Sequence, residues 1–240
     1  MASISICIPF HLRGKRSNRA YDASFKHYAS LPYTVHLCGS EGPLSSAFAS
    51  KFVNNTTHYI EVPQGPLCTL SKGNEVLRKK FNDSLATLPP SDWYCLAGAD
   101  DIIPASFFEW LANQDGNQIA MAGQTMGSPM IMVDMNNYPN KRSIIKVHLQ
   151  YRIKLQLTGG VNCFTGWAMD ICDWQPYQRE GCETGAELFI AERGQILHTP
   201  GYVIMPKEPT SLNQMKKIAA FHPNHPVTIE DEVLVKSYLQ

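Results

Sequence analysis

Apolar and polar positions divide the chain into two differently patterned halves. Through the first hundred residues, short runs at 3–10, 34–38, 58–62 and 93–97, the last nearly all-apolar, predict four strands. Between them, residues 19–30, 44–52 and 72 to about 88 read as helices, the last carrying Val76, Leu77, Phe81, Leu85 and Leu88 at helical spacing. Strands and helices alternating at this rhythm predict a parallel, doubly wound sheet with right-handed crossovers. The fourth run suits an interior strand covered on both faces.

The second half is patterned differently. Residues 118–123 read as a strand. From Val147 to Leu157 every odd position is apolar, and the even positions are His148, Gln150, Arg152, Lys154 and Gln156, which predicts one long half-buried strand with a basic face. That face is either a solvated sheet edge blunted by cations or a surface for an anion. Gly159 and Gly160 break it, a short strand leading to a loop is expected over 162–169, and residues 188–194 read as a helix with a glycine stop. Residues 195–203 read as a last strand or extended loop, followed by a proline-punctuated tail with a short helix near 211–220. The expected organisation is one domain in two halves, 1–110 and 111–205, with a tail at 206–240.

Composition narrows the classes. The chain has 240 residues, enough for one large α/β domain. Its formal charge is zero, so no whole-molecule attraction to nucleic acid or acidic membrane is expected. Seven cysteines, odd in number and without C-x-x-C spacing, suit free thiols in a reducing compartment. With no leader and no apolar run long enough for a span, a cytoplasmic protein is expected.

The chemistry concentrates after the fourth strand, in Leu96-Ala97-Gly98-Ala99-Asp100-Asp101. Gly98 and Ala99 allow a turn or a close ligand approach. The two acids stand outside the carboxyl end of a strand, where open α/β sheets bind ligands. Neighbouring carboxylates repel until a cation or shared proton neutralises them, and hard oxygen donors suit Mg²⁺ or Mn²⁺ shared with substrate phosphates. The plainer alternative is that Asp101 caps a helix starting near Pro104. Walker A and G-x-G-x-x-G fingerprints are absent, which disfavours NTPase and dinucleotide-enzyme readings.

Several motifs recur in a recognisable order: the opening strand ending Cys7-Ile8-Pro9-Phe10, the helix start Lys72-Gly73-Asn74 with Arg78, the Asp100-Asp101 turn, Gly166-Trp167, and the acidic segment 183–187 before Arg193-Gly194. Across roughly residues 3–205 the chain resembles nucleotide-sugar glycosyltransferases of the GT-A fold. Within them it is most similar to the family of chitin- and cellulose-synthase-like enzymes and small bacterial and viral transferases.

The resemblance implies a Rossmann-like, mostly parallel sheet flanked by helices, a nucleoside-diphosphate-sugar donor of the UDP type, and Mn²⁺ or Mg²⁺. It implies that Pro9, Phe10 and His11 line the base pocket, that Arg13 or Lys72 meets the diphosphate, and that Arg78 lies near the donor. Phe10 as core and Arg78 as an exposed helix cation stand as alternatives. Asp100 would be the metal ligand, with Asp101 on sugar or metal. The family commonly has an acid two positions before the second Asp, where this chain has Gly98. Glu183, then Glu187, would be the base of an inverting reaction, although Thr184–Glu187 also fits a capping box. In the family's acceptor region Asp170 and Asp173 read rather as loop residues, and His198, His222 or His225 would add a metal ligand from the C-terminal side.

The acceptor is a glycan, protein, small molecule or hydroxylated DNA base, the last through the basic strand 146–154. A non-catalytic nucleotide- or carbohydrate-binding module is the alternative from another class. A sugar-nucleotide pyrophosphorylase would need a glycine-rich loop after the first strand, where only Gly14 stands.

Overall fold

The computed structural model describes residues 1–12, 18–63, 70–114, 118–122, 129–148, 161–177, 193–199, 203–207 and 224–239. Strands β1 (Ile4–Pro9), β2 (Thr34–Gly39), β3 (Thr57–Glu61) and β4 (Trp93–Ala97) alternate with helices α1 (Arg19–Ala29), α2 (Pro43–Ala49) and α3 (Leu70–Leu85). They pair in parallel in the order β3-β2-β1-β4, as the alternation predicts. After α4 (Ala105–Leu111), strands β5 (Gln118–Ala122), β8 (Val161–Thr165) and β9 (Gln195–Thr199) extend the sheet to β3-β2-β1-β4-β8-β5-β9 among the described residues. Only β8 runs against its neighbours. This is the expected single α/β domain with a mixed, mostly parallel sheet flanked by helices.

Strand periodicity sorts the core. Ile4, Ile6 and Ile8 of β1, with Trp93, Cys95 and Ala97 of β4, face a layer that includes Phe25, Tyr28, Phe48, Phe107 and Phe108 from α1, α2 and α4. Cys7, Tyr94 and Leu96 face the other way, onto Leu85 of α3 and onto Ala168 and Met169 of α5 (Gly166–Asp170). Successive strand residues point to opposite faces, so both faces are covered. Cys7, Cys38, Cys95, Cys163 and Cys172 are buried free thiols.

A second sheet closes one end, in the order β10-β6-β7-β11, from β6 (Pro129–Asp134), β7 (Ile144–His148), β10 (Val203–Lys207) and β11 (Asn224–His225). Its residues Ile131, Val133, Ile144 and Ile204 pack with Ala20 of α1 and with Val235 of a C-terminal helix, α6 (Ile229–Leu239). Lys146 of β7 bonds both carboxylate oxygens of Asp231 on α6 at 2.9 Å.

Three local expectations change. The helix after Asp101 starts from Pro104, with no side-chain cap, so Asp101 is not its cap. Val161–Thr165 is a strand as expected, but a helix follows it rather than a loop, because the Thr165 hydroxyl accepts the Ala168 N–H. The alternating strand starts earlier, at Ile144, and its 149–157 portion lies outside the described residues, as does the 211–220 helix. No helix among the described residues is long and apolar enough to cross a membrane.

Candidate functional site

The carboxyl ends of β2, β1 and β4 lie side by side at one edge of the sheet, the position where open α/β folds bind ligands. At β1 and β2 the edge is tied by hydrogen bonds. Lys80, only 2% exposed on α3, donates from Nζ to the Phe10 carbonyl and, at 2.9 Å, to Ser40 Oγ. The Ser40 hydroxyl in turn donates to Glu41 Oε1 at 2.6 Å. The same Glu41 carboxylate accepts the Leu12 N–H at 3.2 Å and the Ser45 hydroxyl, and pairs with the His11 ring. His11 is half exposed, at 47%, so this ring is the accessible end of the network.

The electrostatics follow from burial. Desolvation lowers the Lys80 amine to about 8, although Glu41, Cys38 and Glu61 pull the other way. Burial would raise the Glu41 carboxyl, but hydrogen bonds from Ser40, Ser45 and Leu12 together with His11 hold it below the usual range. Phe10 is 2% exposed and its ring packs edge-on against Phe25 at 5.1 Å. The ring expected to line a base pocket is therefore core, and the residue meets the edge through its carbonyl. Pro9, half-buried, is the last residue of β1.

At the end of β4 the chain turns sharply, with the Asp101 N–H donating to the Gly98 carbonyl at 3.2 Å. The two acids then differ. Asp100 is half-buried, whereas Asp101 is 8% exposed, and its carboxylate folds back over Gly98. A Cβ on Gly98 would collide with Asp101 Oδ2 and lie 3.0 Å from Cγ, so the glycine makes room for that carboxylate. Ser24 Oγ donates to the Asp101 carbonyl at 3.1 Å, and Ile102 exchanges both backbone hydrogen bonds with Ile204 of the second sheet. Burial, and then the Asp101 carboxylate, push the Tyr28 phenol well above its ordinary range. Among the described residues no three His, Cys, Asp or Glu side chains surround a common point.

A concavity of about 820 Å³ opens between α3 and the loop after α5. Arg78, Asn82 and Asp83 line one wall and Asp173, Trp174, Gln175 and Tyr177 the other. Arg78 and Lys80 are two residues apart, about 200° around the helix, so the two cations face different sites. Asn82 bonds both the N–H and the carbonyl of Tyr177, at 3.1 and 3.4 Å, and Asn162 donates to the Tyr177 hydroxyl at 3.0 Å. Trp174 donates its indole N–H to Asp170 at 3.1 Å. Asp173 and Trp174 both hold left-handed backbone, at φ 49° and 58°, a conformation that costs non-glycine residues. Asp173 lies in the loop after α5, as expected, whereas Asp170 is the last residue of the helix rather than a loop residue, because the chain turns helical from Thr165 onward.

Arg13, Glu183, Glu187 and His222 lie outside the described residues, and Lys72 is placed only as part of the first turns of α3. His225 is exposed on β11, opposite Lys146, and His198 lies on β9. Sequence reasoning missed Lys80, Ser40 and Glu41. A signal was present: Lys80 and Ser84 interrupt the apolar stripe of α3 on its buried side.

No protein-family model matches the chain, and no curated protein resembles it in sequence. Solved structures do resemble it. The inositol-1-phosphate CTP transferase from T. maritima aligns over 91% of this chain and 97% of its own, with a TM-score of 0.51 at 14% identity. S. aureus TarS 1-349 in complex with UDP-GlcNAc gives 0.49 at 12% identity, over 85% of this chain and 58% of that one. The apo-form glycosyltransferase GlyE from Streptococcus pneumoniae TIGR4 gives 0.44 at 11%, over 81% and 45%. This chain spans about half the length of those two structures. The likeness to the CTP transferase is one of fold: the α/β architecture of an enzyme that handles a nucleotide.

Proposed function

We propose that the chain is a nucleotide-sugar-dependent glycosyltransferase whose donor lies across the carboxyl ends of β2, β1 and β4. The observation that carries this reading is the edge itself, where the His11–Glu41–Lys80 network follows β1 and β2, and the neighbouring β4 is followed by the turn that holds Asp100 and Asp101. The shared fold with a CTP transferase and the order of the sequence motifs support it. The narrower likeness to chitin- and cellulose-synthase-like enzymes rests on those motifs alone.

In this reading His11, Pro9 and the Phe10 backbone border the nucleoside, Arg13 or Lys72 meets the diphosphate, and Arg78 serves the outer groove. Asp100 offers the oxygen donors that Mn²⁺ or Mg²⁺ takes, and donor phosphates and water fill the remaining positions. Asp101, turned under Gly98, shapes the turn that presents Asp100. The ion, when bound, offsets charge on the departing diphosphate. Glu183, or else Glu187, accepts the acceptor hydroxyl's proton as that oxygen bonds the sugar carbon and the carbon–diphosphate bond breaks. A hydroxylated DNA base as acceptor relies on Arg152 and Lys154, because Lys146 is already paired with Asp231.

Nucleotidyl transfer is the second reading, favoured by the near full-length match to the CTP transferase. The products separate the two. Glycosyl transfer releases a nucleoside diphosphate and nucleotidyl transfer releases pyrophosphate. Calorimetry with UDP, GDP, ADP and CDP, with and without Mn²⁺, identifies the nucleotide. Asp100→Asn is expected to reduce turnover about 100-fold or more while leaving the melting temperature nearly unchanged. A folded Asp100→Asn enzyme of wild-type turnover removes the metal role.

A further inference from the structure

We propose that Lys80 is a positioning residue of the nucleotide pocket, locking the end of β1 to the end of β2 and so fixing where His11 and Glu41 meet the nucleoside. The inference rests on the nucleotide-donor reading above. Its geometry is specific. One buried ammonium holds the Phe10 carbonyl on one strand end and Ser40 Oγ on the next, and Ser40 holds the Glu41 carboxylate, which gathers Leu12 N–H and His11. A single cation thereby ties three successive residues after β1 to the turn after β2.

Packing alone does not account for a charged side chain here. Ser84, one turn on along the same helix face as Lys80, is fully buried, and so is Leu85 beside it, which packs with Cys7, Cys38 and Leu96. A leucine or methionine at 80 would fill such a place without desolvating a charge. The charge is retained at the sheet edge where an anionic nucleotide would sit, and its two direct partners are neutral oxygens, so the positive field is not cancelled by a bonded carboxylate. The ionisable groups around it are Cys38 on β2, Glu41 after β2 and Glu61 on β3, with His11 beyond Glu41 and Tyr59 bonded to Glu61. The Lys79–Asp83 pair belongs to the exposed side of α3.

The test is Lys80→Met, which keeps the length and removes the charge. UDP, with GDP, ADP and CDP as a panel, is titrated by calorimetry from pH 6.5 to 9.5, and amide hydrogen exchange is followed over residues 8–12 and 38–42. The variant is expected to stay folded, to bind the nucleotide about tenfold or more weakly, and to exchange faster at Phe10, whose N–H bonds the Cys38 carbonyl. Wild-type affinity should weaken as pH rises through about 8, where the Lys80 amine loses its proton, and the variant's profile should be flat there. Ser40→Ala, which removes one acceptor without touching the core, should shift both readouts in the same direction by less, and it decides the matter if Lys80→Met does not fold. Wild-type affinity and pH profile in the variants, or unchanged exchange in both segments, overturns the proposal. If the wild type binds none of the four nucleotides, the donor reading fails, and hydrogen exchange alone then decides whether Lys80 is the clamp.

Discussion

Lys80, on α3 against the large sheet, and Lys146, on β7 of the small one, are solvated by the protein in opposite ways. Lys146, on the small sheet, has a carboxylate in its grip: Asp231 bonds it through both oxygens and also accepts the Thr228 N–H and hydroxyl at the start of α6. Lys80, at the mouth of the large sheet, meets only a carbonyl and a hydroxyl directly and reaches Glu41 through Ser40. The first arrangement neutralises its charge and fastens a helix to a sheet. The second leaves a buried charge without a carboxylate bonded to it, at the carboxyl edge of the sheet. A buried cation with a full carboxylate partner reads as architecture, and one held by neutral oxygens reads as a site held ready.

The comparison can be broken at either end. The largest effect is expected for Asp231→Ala, which strands the Lys146 ammonium and removes the Thr228 contacts. A loss of about 3 kcal/mol, or roughly 6–12 °C in melting temperature, should appear by calorimetry while nucleotide affinity stays within a factor of two. If stability were unchanged, Lys146 would not be the fastener described here.

Gly98→Ala should cost about 1–3 kcal/mol, because the new methyl displaces the Asp101 carboxylate in a packed turn. It should also weaken any Mn²⁺-dependent gain in nucleotide affinity, which a paired titration with and without Mn²⁺ reads directly.

The pH dependence of stability sharpens the contrast. The folded Lys80 amine, at about 8, lies below its ordinary value of 10.5. Between those values the unfolded chain binds a proton that the native chain does not, so this group makes the protein more stable as pH rises, by up to ~1.4 kcal/mol per pH unit. Denaturant titrations at pH 8 and pH 10 should show that increment, and Lys80→Met should lack it. Asp231 acts at the other end of the scale: burial would raise its carboxyl, but Thr228 and Lys146 hold it down. Its contribution is therefore complete above the ordinary carboxylate range and is lost as pH falls through its depressed value. The smallest effect is expected at the outer groove, where Asp173→Gly relieves the φ 49° backbone and should stabilise by roughly 0.5–1 kcal/mol in a thermal melt.

Much of the first half is legible in the sequence. Each of β1–β4 and α1–α3 falls where the apolar runs and helical stripes predict, within three residues at either end. The acids at 100 and 101 do follow a buried strand, parallel to β1, at the carboxyl edge of the sheet. Helix α6 was not legible, because Ile229 and Val233 are exposed and Val235 is buried, so its apolar residues spread around the axis instead of forming one stripe. Nor was the second sheet, whose β6 and β10 are distant in sequence yet parallel neighbours.

Adjacent residues with the same side chain received different fates. Asp100 and Asp101 are indistinguishable as letters, and only the fold-back over Gly98 separates a half-buried acid from a buried one. By itself the sequence determined β1–β4, α1–α3 and the edge at which the acids lie, because burial periodicity is a local property of each segment. Which lysine is a fastener and which a clamp was decided by tertiary structure alone, since a charge acquires its role from groups brought to it by other parts of the chain.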